Sequence, residues 1–141
     1  MATTAIPALF VWKNEYCVGH PEIDGQHRQL VDILNKLHEA MLSGRSGEQQ
    51  ARTLDNLVHY TKRHFAAEEK VMKDIGYPAM FAHMKLHQDL TAKVLDFQRK
   101  LAAGMSCITI ELLQFLKDWL YTHISQSDKE VGKHYLMKAK R

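Results

Sequence analysis

The sequence predicts an all-α domain: an up-down-up-down antiparallel four-helix bundle over residues 23–128, with an N-terminal arm (1–22) and a short basic tail (129–141). Three observations carry this reading. Apolar residues recur at three- and four-residue steps in four segments, which is the helical period. Three short breaks separate the segments: Ser43-Gly44-Arg45-Ser46-Gly47, Gly76-Tyr77-Pro78 and Ala103-Gly104-Met105-Ser106. No stretch alternates apolar and polar residues for long enough to read as a strand.

The first stripe runs Ile23, His27, Leu30, Leu34, Leu37, Met41, with Asp24 suited to the N-cap. The second runs Leu54, Leu57, Thr61, His64, Glu68, Val71/Met72, Ile75, preceded by Ser46 and Gln49 in a capping-box pattern. The third is Met80, His83, His87, Leu90, Val94, Phe97, Leu101, and the fourth Ile108, Leu112, Leu116, Trp119, His123. Gly76 and Gly104 suit the C-terminal ends of the second and third helices. Helices of roughly 20–27 residues joined by such short breaks lie antiparallel to their neighbours. The arm contains two prolines and no period, so it is expected to pack on the outside of the bundle.

With 141 residues, 45% of them hydrophobic and 25% charged, the chain can bury a core without staples. The net charge of +3 is uneven. Residues 129–141 carry +4, which leaves −1 for the rest. A near-neutral body is a poor nucleic-acid binder, because affinity for the phosphate backbone needs many cations on one face. The tail, for which a helix is an open alternative, is expected to be solvated, with docking on an acidic protein or membrane surface as the minority alternative. Cys17 and Cys107 lack metal-finger spacing and are expected at opposite ends of the bundle, so no disulfide is expected. Neither a secretion signal nor a membrane span is legible, and a cytoplasmic monomer is the default expectation.

The unusual number is nine histidines. His27, His64, Glu68, His83, His87 and His123 fall on the four apolar stripes, where a core wants carbon. One histidine on an apolar face is ordinarily a core residue with a hydrogen-bond partner. Six intrusions spread over all four helices need a common partner, because burying them unpaired is costly. His64/Glu68 and His83/His87 are i,i+4 pairs, and each pair projects from one face, one turn apart. In an antiparallel order, the start of helix one, the end of helix two, the start of helix three and the end of helix four share one end of the bundle. All six residues fall there. His38 lies about 16 Å along the axis from His27, and His59 is about 140° around the helix from His64. With His20 in the arm and His134 in the tail, these four are expected to be surface or boundary residues.

The pattern His27 … His64-Phe-Ala-Ala-Glu68 … His83-x-x-x-His87 … His123-Ile-x-x-x-Asp128 resembles the ligand set of the hemerythrins, in particular their single-domain bacterial form, the bacteriohemerythrins. Trp12, Tyr16, Val18-Gly19, Ile23-Asp24-x-Gln26-His27 and Gly76-Tyr77-Pro78 match as flanking elements, so the resemblance covers roughly residues 10–130. It implies a non-haem centre of two iron ions with a bridging oxide or hydroxide. His83, His87 and His123 would complete one iron, His27 and His64 would bind the other, and Glu68 and Asp128 would bridge. That set leaves one open position, on the iron with two histidines. Asp128 is about 140° from His123 on a regular α-helix. Its role therefore requires helix four to widen into a π-type turn or to end near Ser125–Ser127.

The resemblance further implies an apolar pocket for dioxygen at Leu30, Phe65, Trp119, Leu120 and Ile124, each within one turn of a ligand. Reversible dioxygen binding without turnover is the expected function. The ferritin-like oxidases use carboxylate-rich sites built around Glu-x-x-His, a motif that occurs nowhere in this chain. Neutral imidazoles stabilise high oxidation states less than carboxylates do. A peroxidase- or oxidase-like or nitric-oxide-handling di-iron enzyme is the first rival reading, and an oxygen- or iron-sensing module the second. Steady consumption of a reductant with dioxygen separates the enzyme from a stoichiometric binder.

Overall fold

The computed structural model describes residues 8–44, 47–103 and 110–139. A short 3-10 turn (Asn14–Tyr16) precedes α1 (Pro21–Leu42), α2 (Gly47–Ile75), α3 (Met80–Ala102) and α4 (Ile110–Thr122). A π-helical turn (His123–Asp128) then leads without a break into α5 (Lys129–Ala139). No strand occurs among the described residues. α2 packs between α1 and α3, α4 packs on α1, and α5 returns against α2. This is the expected four-helix bundle.

α1 begins earlier than the stripe suggested. Pro21 occupies the first turn, where its missing N–H costs nothing, and His20 caps the helix by accepting the N–H of Ile23 at 3.3 Å on Nδ1. Asp24, expected at the N-cap, is a buried first-turn residue that accepts from the backbone of the arm instead. At the end of α2, Gly76 takes a left-handed φ of +64°, and Tyr77 N–H closes onto the carbonyl of Met72 at 2.9 Å. The Ser46 capping box, the C-terminal role of Gly104 and the Cys107 thiol lie outside the described residues. Cys17 is a free thiol.

Two apolar clusters sandwich a polar layer. The main core, with Leu30, Leu34, Leu37, Leu54, Leu90, Val94, Leu112, Leu113 and Leu116, fills most of the bundle. A smaller cluster of Met72, Ile75 and Val131, flanked by Tyr77, Met80, Met84 and Tyr135, closes one end. α2 passes from the main core at Phe65 to the smaller cluster at Met72, and the chain passes from Ile124 in the π turn to Val131 in α5. Glu68 and Asp128 lie between these positions.

The described part of the arm packs against the bundle: Phe10, Tyr16 and Val18 are buried, and Asn35 pairs reciprocally with the Phe10 backbone at 2.8 and 2.9 Å. Aromatic residues bury enough area to hold a segment that has no period of its own. The tail is helical through Ala139 and keeps Lys133 and Lys138 exposed, while Val131 and Gly132 are buried where α5 packs against α2.

Candidate metal centre

Seven side chains converge in the polar layer. α1 supplies His27, α2 His64 and Glu68, α3 His83 and His87, and the π turn His123 and Asp128. All seven are at most 4% exposed. Their donor atoms form two groups, each with its atoms within 4.8 Å of one another: Glu68, His83, His87, His123 and Asp128 in one, His27, His64, Glu68 and Asp128 in the other. The two carboxylates belong to both.

Each carboxylate divides its oxygens between the groups. Glu68 Oε2 lies 3.1 Å from His64 Nε2 and 4.0 Å from His27 Nε2, while Oε1 faces His83, His87 (3.4 Å) and His123 (3.7 Å). Asp128 Oδ2 lies 2.7 Å from His27 Nε2 and 4.0 Å from His64 Nε2. Its Oδ1 is 3.0 Å from His83 and 2.9 Å from His123. All five imidazoles present Nε2. The widened turn places Asp128 on the same side as His123 five residues earlier, which regular α geometry would not do.

The polar atoms here lack the partners that burial demands. His27 Nδ1 and Nε2, His64 Nε2, His83 Nε2, His87 Nδ1 and all four oxygens of Glu68 and Asp128 have no hydrogen bond. Several are close to one another, but the directions of donor and acceptor miss. Each such atom costs about 1–3 kcal/mol when left buried and unpaired. Lone pairs aimed at shared points, rather than at one another, are what cation ligands look like. The residues present fit a pair of metal ions.

Without metal, protons take the cation's place. Burial disfavours the charged form of His123, but the charge and contact of Asp128 and the neighbouring Glu68 outweigh it and raise the imidazole to about 9. His83 is likewise raised against burial by Asp128 and Glu68. Burial also opposes ionisation of Glu68, yet the surrounding Asp128, His123, His64 and His83 hold its carboxyl well below the ordinary value. Asp128 sits at about 2, where its pairing with His123 prevails over burial and the nearby Glu68. His64 is lowered, chiefly by burial. Four of these five groups favour their charged form in a dry interior, so the site prefers alternating positive and negative charge.

A cavity of about 40 Å³ opens beside the layer, its lining almost wholly apolar. Leu30, Phe65, Trp119 and Leu120 line it together with Leu34, Leu57, Val58, Leu90, Val94 and Leu116, and His64 and His123 reach it from the two donor groups. Ile124 is buried in the core but does not border the cavity. Thr61 and Thr91 also line it, with hydroxyls turned back onto the carbonyls of Leu57 (2.6 Å) and His87 (2.8 Å).

Residues 18–135 match the family described as the Hemerythrin HHE cation binding domain. The chain belongs to the hemerythrin family. It is 36% identical over 122 residues to a bacteriohemerythrin of Stenotrophomonas maltophilia, covering 86% of this chain and 78% of that protein. A bacteriohemerythrin of Methylococcus capsulatus is 36% identical over 126 residues, covering 89% and 95%. A solved wild-type hemerythrin has a TM-score of 0.85 at 32% identity and covers 91% of this chain and 98% of that one.

In this hemerythrin domain the four surplus histidines stay away from the centre. His59 is exposed, and His38 and His134 are partly exposed. His20 does more than expected: besides capping α1, it packs on Tyr135 with ring centroids 4.6 Å apart. One outer partner is not legible in the sequence: His64 Nδ1–H donates to Gln26 Oε1 at 2.7 Å, which leaves the Nε2 lone pair free for a metal; Glu69 Oε1 lies 3.5 Å from His87 Nδ1 without a hydrogen bond. Gln26 precedes His27 in the flanking motif, and Glu69 follows Glu68; adjacency to a candidate ligand is the available signal. No helix among the described residues is long and apolar enough to cross a membrane.

Proposed function

We propose that this protein binds dioxygen reversibly at a non-haem di-iron centre. His83, His87 and His123 would hold one iron and His27 and His64 the other, with Glu68 and Asp128 offering an oxygen to each. The observation that carries the reading is the division of the Glu68 and Asp128 oxygens between two histidine groups beside an apolar cavity. When bound, the iron pair supplies the electrons and the open coordination position that a diatomic ligand needs.

The chain's own residues do the rest. Three imidazoles on one side and two on the other make the halves unequal, so an iron on the His27/His64 side would have fewer protein donors and room for a further ligand. His64, on that side, also lines the cavity. Leu30, Phe65, Trp119 and Leu120 make the walls mostly apolar, the Thr61 and Thr91 hydroxyls are taken up by backbone carbonyls, and a space of about 40 Å³ suits a diatomic molecule rather than an organic substrate. Water and anions that would compete for the vacancy are thereby kept out. Phe65 stacks on His87 at 3.7 Å and 3°, which fixes the ring plane of a ligand. The small dry chamber favours stoichiometric binding over turnover of a larger substrate.

Anaerobic reduction of the iron-loaded protein, followed by air and then argon, tests the proposal. A visible band that appears and vanishes reversibly, with two irons per chain, is the expected result. Irreversible bleaching, or continuous consumption of reductant with dioxygen, overturns it.

A further inference from the structure

Residues 15–19 of the arm form a strap gripped from two sides. From α1, Asp24 accepts the backbone N–H of Val18 at 2.7 Å and of Gly19 at 3.3 Å. From α5, Lys129 Nζ donates to the carbonyl oxygens of Cys17 at 2.8 Å and Glu15 at 3.0 Å. Gly132 completes the grip, since a Cβ there would lie 2.0 Å from the Val18 carbonyl oxygen. Only a residue without a side chain lets the strap lie directly on α5.

The anchors are adjacent to the metal centre in sequence. Asp24 precedes His27 by three residues, about one turn, and Lys129 directly follows Asp128. The strap thus joins the two segments that bring His27 Nε2 to 2.7 Å from Asp128 Oδ2. A π turn is an uncommon local geometry, and in regular α-helix the residue five positions after His123 would point about 140° away. Something outside the helix must hold α5 in its rotated register. The geometry points to Lys129 and Gly132 as positioning residues that, through the strap, hold the π turn and deliver the Asp128 carboxylate to both donor groups. The inference rests on Asp128 being a metal ligand, and it extends the centre to residues that touch no donor atom.

The test compares wild type with Lys129→Met, Lys129→Arg and Gly132→Ala. Leu37→Ala serves as a control that weakens the core about 15 Å from His27. Anaerobic Fe(II) titration of metal-free protein reads affinity and stoichiometry, and amide hydrogen exchange of metal-free protein reads the stability of residues 123–130. Lys129→Met removes both strap hydrogen bonds while keeping most of the stem. It should weaken iron binding about 10-fold or more and speed exchange across the turn. Gly132→Ala pushes the strap off α5 and should produce the same pair of changes. Lys129→Arg should restore both readouts, and Leu37→Ala should lower the melting temperature while changing neither. Wild-type affinity and exchange in Lys129→Met overturn the inference. If wild type itself does not take up two irons, the functional reading fails instead, and the exchange comparison alone decides whether the strap holds the turn.

Discussion

The indole of Trp119 lies nearly parallel to the imidazole of His123, with ring centroids 4.3 Å apart and planes 14° from parallel. The two residues are four apart, so one helical turn stacks a cavity wall on a donor of the polar layer. Trp119 therefore has two duties: it bounds the apolar chamber and fixes the plane of His123.

Truncating that wall should admit water. In Trp119→Ala and Leu120→Ala, the oxygenated form should decay to inert diferric protein faster than in wild type, as read by loss of its visible band. Leu120→Ala should also cost about 2–5 kcal/mol of stability, because a buried side chain leaves a void. Lifetimes equal to wild type in both variants would remove the pocket assignment.

Asp128→Asn changes one atom of the centre. The amide keeps the size of the carboxylate but loses the charge and one strong acceptor. Iron content should fall below two per chain. The affinity loss should exceed the roughly 10–100-fold typical of removing an outer partner. Circular dichroism should still report a full helical bundle.

Gln26→Leu should act one shell further out. His64 Nδ1–H loses its acceptor at 2.7 Å, so the ring is no longer held with Nε2 toward the centre. Iron affinity should drop about 10–100-fold while the stoichiometry at saturation stays at two. Affinity unchanged within error would show that packing alone orients the ring.

The pH dependence of metal-free protein follows from the charged cluster. His123 rises from 6.5 to about 9, so its contribution to stability is fully present below about pH 6.5 and is lost as pH rises through 9. His83, also raised, acts with the same sign. Asp128 falls from 3.8 to about 2, so its contribution is present above about pH 4 and is lost as pH falls toward 2. Glu68, lowered as well, adds to that acid limb, while His64, lowered by burial, offsets part of the histidine effect. Metal-free protein should therefore be most stable between roughly pH 4.5 and 6.5. Iron binding must displace the imidazole protons, so affinity should increase with pH up to about 9. Thermal melts and iron titrations across that range check both statements, and a metal-free melting temperature that climbs between pH 7 and 9 would contradict them.

The helices and the shared end of the bundle were legible because both depend on short-range regularities. The 3.6-residue period marks which side of each segment is buried, and loop lengths leave only an antiparallel order. His27, His64, Glu68, His83, His87 and His123 stood out as polar residues on those same stripes. Asp128 did not, since its position breaks the period at the place where the helix widens. Which arm residues face inward is not legible for a related reason: Phe10, Tyr16 and Val18 follow no period, and a segment of that kind is placed by what it touches. Lys129 reaches the Cys17 carbonyl across 112 positions of chain, and no local pattern announces such a contact.

From the amino-acid order alone came the all-helical class, the antiparallel course and the end of the bundle where six of the donors gather, while Asp128 and the irregular turn it requires came from the family resemblance. Folding in three dimensions decided the rest. It set which oxygen of each carboxylate faces which histidines, the size and borders of the cavity, the burial of the arm and the continuation of the tail as α5. The reason is physical. Periodicity records only whether a side chain faces inward, whereas distances between donor atoms depend on how separate helices are rotated and clamped against one another.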